Sequence, residues 1–179
     1  MSSYRKAQFF STLRSALAAW LLVATFADRA AAEPVDNTDA SRGGPAYSVQ
    51  HLLRLHRDAD QGSALAQYLL GALYQLGEVL PQDHAEAAKW FRRAADQGLA
   101  VAQFALGGMY AVGHGVPEDI VHAHKWLNLA AARAAQIAGA QKLMRDAQEM
   151  RGELTRKMSA RQIDEAEYLA REWKPKSER

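Results

Sequence analysis

The apolar residues of this chain recur at the three- and four-residue steps of amphipathic helices, and the whole pattern recurs after 36 residues. Residues 62–97 and 98–133 are identical at 15 of 36 positions. Chance would give about three identities in a chain this rich in alanine. A fixed period of this length with helical spacing inside it indicates an all-α fold, an α-solenoid of antiparallel helix pairs.

Each copy of the repeat predicts two helices joined by a loop. The predicted helices are residues 63–76 and 84–97 in the first copy and residues 99–112 and 120–133 in the second. Gly71 and Gly107 fall in the middle of the first helices, where glycine costs about 1 kcal/mol relative to alanine. We therefore expect another backbone or a large ring to lie against each glycine. Trp90 and Trp126 on the second helices are the predicted rings, and both are predicted to be core residues.

The loops contain residues suited to ending one helix and starting the next. Gly77 and Gly113 suit the left-handed position after a helix C-terminus. Asp83 and Asp119 are placed to cap the second helices with their carboxylates. The first loop has Val79 where the second has a glycine, and valine does not readily adopt a positive φ. We therefore expect the two loops to bend differently.

Shorter segments are predicted to close the repeats at both ends, giving a domain over residues 47–175. Residues 47–61 read as a half repeat capped by Ser48, with an apolar side formed by Val49, Leu52, Leu53 and Leu55. The C-terminal helices are predicted within residues 136–173. The first covers residues 136–157 as one helix, or as two with a bend at Gly139, and Ser159 with Gln162 opens the second. Residues 176–179 form a charged tail that we expect to fray.

The N-terminus predicts export. Residues 1–32 combine a basic start, an apolar run and small residues before Glu33, which is typical of a signal peptide cleaved near Ala32 and indicates a periplasmic or secreted protein. A retained inner-membrane anchor is the alternative, and only then would a membrane be a partner. Residues 33–46 read as a flexible linker. Residues 1–32 contain four of the 22 basic residues and one of the 20 acidic ones. The mature chain is therefore nearly neutral, which argues against a nucleic-acid partner.

The sequence offers little for catalysis, and we predict no catalytic residues, no metal site and no cofactor. The chain has no cysteine. His122 and His124 are two positions apart and point to different sides of a helix, which makes them poor joint ligands. The two aspartates that begin the second helices already have a capping role. A hydrolase that uses His84, His114 and His122 is the least favoured alternative.

Four polar positions that recur in both copies are candidates for binding a partner: Gln67, Tyr74, Gln103 and Tyr110. Each glutamine either bridges two helices inside the solenoid or belongs to a polar surface that holds a partner, and the tyrosines carry the same two interpretations. Lys89, Arg92 and Arg93 form a basic rim on the second helix, which a solvated helix face also explains.

The repeat resembles the Sel1-like repeat, a relative of the tetratricopeptide repeat. The family pattern A-x-A-x-x-x-L-G-x-x-Y-x-x-G-x-G-V-x-x-D, followed by x-x-x-A-x-x-W-x-x-x-A-A, is matched throughout the second copy. The matching residues are Ala100, Ala102, Leu106, Gly107, Tyr110, Gly113, Gly115, Val116, Asp119, Ala123, Trp126, Ala130 and Ala131. The first copy departs from it at Val79 and Leu80. Ala134 replaces the glycine that ends the second helix.

The resemblance covers residues 59–175, because residues 158–175 are similar to the tail of many secreted bacterial members. It implies a bacterial, non-catalytic scaffold or adaptor of the cell envelope that binds a protein partner. A regulatory subunit of an envelope signalling system is the alternative. The residues common to the family are structural, so the resemblance does not imply a shared catalytic site.

Overall fold

The computed structural model describes residues 49–176. The predicted signal peptide, the linker and Ser48 lie outside this range. Within it the chain forms seven helices: α1 Val49–Asp60, α2 Ala64–Leu76, α3 His84–Asp96, α4 Ala100–Val112, α5 Ile120–Ala134, α6 Gln141–Thr155 and α7 Ala160–Arg171. None of these helices has the length and hydrophobicity that crossing a membrane requires.

Successive helices pack against each other in the order of the chain. The two helices of each repeat form the pairs α2–α3 and α4–α5, and α3 also packs on α4 to join the repeats. Helix α1 lies against α2, whereas α5 contacts both α6 and α7. This arrangement of stacked helix pairs is the predicted α-solenoid.

The helix ends at Gly77, Gly113 and Ser159 form as predicted, whereas Ser63, the first residue of the predicted helix, lies just before the helix as its cap. Ser63 caps α2, since its hydroxyl accepts a hydrogen bond from the backbone N–H of Ala66. Gly77 and Gly113 both adopt φ 71° in the left-handed region, and the N–H of each bonds back into the preceding helix. Ser159 and Gln162 form a reciprocal capping box at the start of α7.

The side chains against the two mid-helix glycines are not the predicted tryptophans. A Cβ on Gly71 would lie 2.7 Å from two ring carbons of Phe91, and a Cβ on Gly107 would lie 2.9 Å from Cγ of Leu127. Phe91 and Leu127 each follow the predicted tryptophan by one position, which is about 100° around a helix. The expectation of a close approach at the glycines is therefore right, but the residue assigned to it is wrong.

The apolar side predicted for the first helix is only partly covered, since Leu52 and Leu55 are half-buried. Val49 is 72% exposed and Leu53 is 61% exposed, while Ala59 is the buried residue of α1. The equivalent helices α3 and α5 have neighbours on two sides, but among the described residues α1 packs mainly on α2. The half repeat is therefore joined to the stack by its C-terminal end.

The C-terminal region breaks at Gly139, as one of the two predicted arrangements has it, but residues 136–138 form no helix before the break and the start of the tail is anchored. Helix α6 begins at Gln141, because Gly139 adopts φ 85° and cannot continue a right-handed helix. Lys176, the first residue of the predicted frayed tail, is anchored to α3. Its backbone N–H donates to the carbonyl of Asp96 over 2.8 Å, and its Nζ lies 3.0 Å from a carboxylate oxygen of the same residue.

Candidate functional site

The two recurrent glutamines hold the repeats together from inside. Gln67 and Gln103 are both 0% exposed. The side-chain amide of Gln67 donates to the carbonyl of Ala59 over 3.0 Å, and that of Gln103 donates to the carbonyl of Ala95 over 3.2 Å. Each bond links the first helix of one repeat to the end of the helix before it. The candidate role of these residues in partner binding does not fit this burial, so the bridging interpretation holds.

The two recurrent tyrosines occupy different environments. Tyr74 is half-buried near the end of α2. Tyr110 is 8% exposed, and its hydroxyl accepts a hydrogen bond from the guanidinium of Arg92 on the neighbouring repeat. The guanidinium carbon also lies 5.4 Å from the centre of the Tyr110 ring. Tyr110 therefore contacts the predicted basic rim from beneath.

The two tryptophans also differ from each other. Trp126 is 2% exposed and forms an edge-on contact with Trp173, with 6.3 Å between ring centres. Trp90 is only half-buried, and the guanidinium of Arg93 lies 4.7 Å from the centre of its ring. Trp126 thus belongs to the core, whereas Trp90 lies at its edge, where a cation covers the ring.

Both predicted aspartate caps form, which commits their carboxylates to structure. Asp83 accepts from the N–H groups of Ala85 and Glu86 at 2.9 and 3.0 Å. Asp119 accepts from the N–H groups of Val121 and His122, and its second oxygen lies 2.7 Å from Nδ1 of His122. Partial burial raises the pKa of Asp119, but the hydrogen bonds outweigh it and the net pKa is lowered.

The histidines do not converge on a common point. His84 and His114 face each other with 5.1 Å between ring centres, His122 bonds to its own cap, and His124 is buried at 3% exposure. Burial, followed by the charge of Arg151, lowers the pKa of His124. Among residues 49–176 no group of three or more histidine, aspartate and glutamate side chains is placed to hold a metal ion.

A groove lies between α3 and the loop that joins α4 to α5. It has a volume of about 360 Å³ and is lined by Ala85, Ala88, Lys89, Arg92, Arg93, Gly115 and Val116. We call it the α3 groove. Its floor is formed by small apolar side chains, and its rim contains the three cations that the sequence indicated.

Gly115 brings the loop directly onto the helix and so forms one wall of the α3 groove. It adopts φ 70°, and a Cβ there would lie 1.9 Å from the carbonyl oxygen of His84 at the start of α3. Only glycine allows both this backbone conformation and this approach. The first repeat has Val79 at the same position, and no residue other than glycine has a positive φ within residues 49–176. The two loops therefore differ at this position, as the sequence predicts.

One feature of the site could not be predicted from the sequence, and another had only a weak sequence signal. The wall formed by Gly115 and Val116 belongs to one repeat and the cationic rim to the other, so no local pattern pairs them. The role of Phe91 had a weak signal, since Phe91 and Leu127 are both large and apolar at the same repeat position. A search for similar residues, rather than identical ones, would have found it.

Comparison with known proteins agrees with this repeat arrangement. The family model of the Sel1 repeat matches residues 64–99 and 100–134. The chain contains two Sel1 repeats. Sel1 repeat proteins generally bind protein partners, and they are typically non-catalytic scaffolds.

Solved structures similar to this chain are Sel1 repeat proteins of greater length. One is a protective antigen present in uropathogenic Escherichia coli strains displaying an SLR fold. It is 31% identical, with a TM-score of 0.61, over 69% of this chain and 25% of the antigen. Another is a Sel1 repeat protein from Oxalobacter formigenes, which is 45% identical, with a TM-score of 0.47, over 54% of this chain and 27% of that protein. This chain thus spans about a quarter of each structure's length. No curated protein matches it.

Proposed function

We propose that this Sel1 repeat protein is a non-catalytic interaction scaffold or adaptor of the bacterial cell envelope, and that it presents the α3 groove to a protein partner. The observation that carries the proposal is that the positions identical in both repeats and the positions that differ have separate roles. The identical residues, such as Gln67, Gln103 and Gly71, are occupied in packing one helix on another. The groove is formed largely by residues that differ between the repeats, such as Arg92 and Gly115.

The size of the groove supports a binding role of modest strength. Its volume of about 360 Å³ lies at the small end of the range for ligand pockets. A partner that uses only this groove would bury less surface than a standard stable interface. We therefore expect a short segment of the partner to enter the groove. Either the partner makes further contacts elsewhere in the domain, or the complex is transient.

Site-specific photocrosslinking in cells tests the scaffold role. A photoreactive residue at Ala85, which is exposed and lines the groove, should form a discrete adduct with a partner protein. The same residue at Glu165, an exposed position on α7 away from the groove, is the matched control and should not form that adduct. Adducts that are absent from Ala85, or identical at both positions, would refute a role for the α3 groove.

The envelope location has its own test. Export by a cleaved signal predicts that the protein is recovered from the periplasmic fraction with Glu33 as its first residue. Recovery of a form that begins at Met1 in the membrane fraction would instead indicate an anchored adaptor. Recovery in the cytoplasm would contradict the envelope role.

A further inference from the structure

Arg92 is held in place by the repeat that follows it. Its guanidinium donates to the hydroxyl of Tyr110 and lies over the Tyr110 ring, which itself packs against His122 with 5.3 Å between ring centres. His122 is in turn hydrogen-bonded to the cap residue Asp119. Contacts that already order an arginine side chain lower the entropy lost when it binds a ligand. Arg92 is thus a pre-organised cation at the edge of the α3 groove.

Within the part of the chain that the structure describes, no carboxylate balances the charge of Arg92 directly. Among residues 49–176 no carboxylate forms an ion pair with it, since its side-chain contacts are with the neutral Tyr110. The other two rim cations are paired: Lys89 lies 2.5 Å from Glu86, and Arg93 lies 3.8 Å from Asp60. Arg92 is therefore the rim residue with a guanidinium left to bind a carboxylate.

The surroundings of Arg92 contain further positive charge. Lys125 lies on α5 with its Nζ 4.4 Å from the centre of the Trp126 ring. Burial is the main cause of the lowered pKa of Lys125, and the positive charges of Arg92 and Lys176 lower it further, against the opposing effect of Asp96. This mutual repulsion places Arg92 in a region where an added negative charge would be stabilised.

The floor of the groove fits a different kind of group. Ala85 and Ala88 on α3 and Val116 on the loop are small and apolar, and they line the same groove as Arg92. A volume of about 360 Å³ admits individual side chains rather than a folded surface. The groove thus combines a pre-organised cation with an apolar floor.

We propose that the α3 groove binds a short acidic peptide segment of the partner, with one carboxylate on Arg92 and a neighbouring apolar side chain on Ala85, Ala88 and Val116. The inference rests on the proposed scaffold function and specifies the partner's chemistry. Arginine binds a carboxylate through two parallel hydrogen bonds, which gives geometric selectivity as well as attraction. Tyr110 acts as a positioning residue that orients Arg92.

A nucleic acid is the competing polyanion, and the groove fits it less well. Strands are bound by long tracks of cations with stacking aromatic residues. Here two of the three rim cations already have carboxylate partners, and the floor consists of alanine and valine side chains. The acidic peptide is therefore favoured, and an oligonucleotide is an outcome that the test must distinguish.

Fluorescence anisotropy with synthetic peptides tests the proposal on the mature protein. The probe is a labelled peptide of alternating aspartate and leucine residues, and its counterpart has lysine at every aspartate position. We expect the aspartate peptide to bind, with weaker binding as ionic strength rises, and the lysine peptide not to bind. Arg92→Glu should weaken binding by about tenfold or more, because it places a like charge opposite the carboxylate.

Matched variants separate the groove from the overall charge. Arg161→Glu makes the same change of charge at an exposed residue of α7 and should leave the affinity within about twofold. Tyr110→Phe keeps the ring but removes the hydroxyl that orients Arg92, so it should weaken binding by a few-fold. Arg92→Lys should weaken binding further, because lysine cannot form the two parallel hydrogen bonds of a guanidinium. Thermal melts followed by circular dichroism identify any variant that has lost its fold. If Arg92→Glu does not fold, Lys89→Glu is the second groove variant, because the Lys89 side chain is 69% exposed and its replacement should not disturb the core.

Several outcomes would overturn the inference. Equal binding of the aspartate and lysine peptides would contradict charge selection, and equal losses in Arg92→Glu and Arg161→Glu would place the site elsewhere. A labelled single-stranded oligonucleotide that binds more tightly than the peptide, through Arg92, would assign the groove to nucleic acid. If Ala85 still crosslinks to a partner while the aspartate peptide fails to bind, the scaffold function stands and the acidic class is wrong. If crosslinking at Ala85 also fails, the proposed role of the α3 groove in partner binding is wrong as well.

Discussion

The contact between Gly71 and Phe91 gives the sharpest test of how the helices of one repeat pack. Phe91 is 0% exposed, and its ring occupies the space that a Cβ on Gly71 would need. Phe91→Ala should cost about 3–5 kcal/mol in the free energy of unfolding, because it leaves a cavity in the core. For a domain of this size that loss lowers Tm by roughly 10–15 °C. Trp90→Ala should cost clearly less, since Trp90 is only half-buried.

Gly71→Ala completes the double-mutant cycle. Alone it should destabilise by up to about 2 kcal/mol, since the forced overlap costs about 1–3 kcal/mol and the gain in helix propensity offsets about 1 kcal/mol of it. In the Phe91→Ala background the ring is gone, so the same change should become neutral or stabilising. Gly152→Ala in α6 is the matched control, because nothing lies within 4 Å of its Cβ position. We expect this control to stabilise by up to about 1 kcal/mol.

Urea and thermal unfolding followed by circular dichroism measure the four variants of this cycle. We expect a coupling free energy between positions 71 and 91 of about 1–3 kcal/mol. If Gly71→Ala stabilises the domain as much as Gly152→Ala does, the close packing at Gly71 is refuted. An effect of Gly71→Ala that is the same with and without the Phe91 ring would refute the assignment of that ring. A loss in Trp90→Ala equal to that in Phe91→Ala would restore the tryptophan as the principal core residue.

Three further predictions concern caps, protonation and the groove wall. Asp119→Ala should cost about 1 kcal/mol in the free energy of unfolding at neutral pH. Because the folded-state pKa of Asp119 is lowered from 3.8, this difference from wild type should begin to shrink as the pH falls to about 4 and should be lost only below the folded-state pKa; a difference that does not shrink in unfolding curves recorded from about pH 4 downwards would contradict it. The lowered pKa of buried His124 means that the unfolded chain takes up the proton more readily, so wild-type stability should fall as pH drops below 6.5, and His124→Leu should flatten that slope in pH-dependent melts. Gly115→Ala should lower the free energy of unfolding by about 2 kcal/mol or more, and Gly139→Ala by about 1 kcal/mol, in urea unfolding followed by circular dichroism. Both glycines have a positive φ, but only Gly115 lies against the backbone of His84, so equal losses would show that this contact is absent.

The sequence was sufficient wherever the relevant interaction is local. The left-handed turns at Gly77 and Gly113, the caps at Asp83 and Asp119, and the capping box at Ser159 depend on residues within a few positions of each other. The repeat phase was also readable from the sequence, because the same interactions must recur at each repeat junction. For that reason the solenoid itself could be predicted without a structure.

Only the tertiary structure decided which side chains meet across helices. Phe91 and Trp90 are adjacent, and the crossing of α2 and α3 determines which of them faces Gly71. Likewise, the sequence allowed Gln67 to face either the interior or the surface. The packing of α1 on α2 decides this, because it places the carbonyl of Ala59 within hydrogen-bonding distance of the Gln67 amide. Side-chain spacing predicts the face of one helix, but it does not predict the relative rotation of two helices.

The α3 groove shows this division most clearly. The sequence by itself determined that Lys89, Arg92 and Arg93 lie on one helix and that Gly115 and Val116 lie in one loop. It did not determine that the loop rests on the helix, or that Tyr110 of the second repeat holds Arg92 of the first. These contacts depend on how one repeat stacks on the next, because helix packing brings together residues that are distant along the chain.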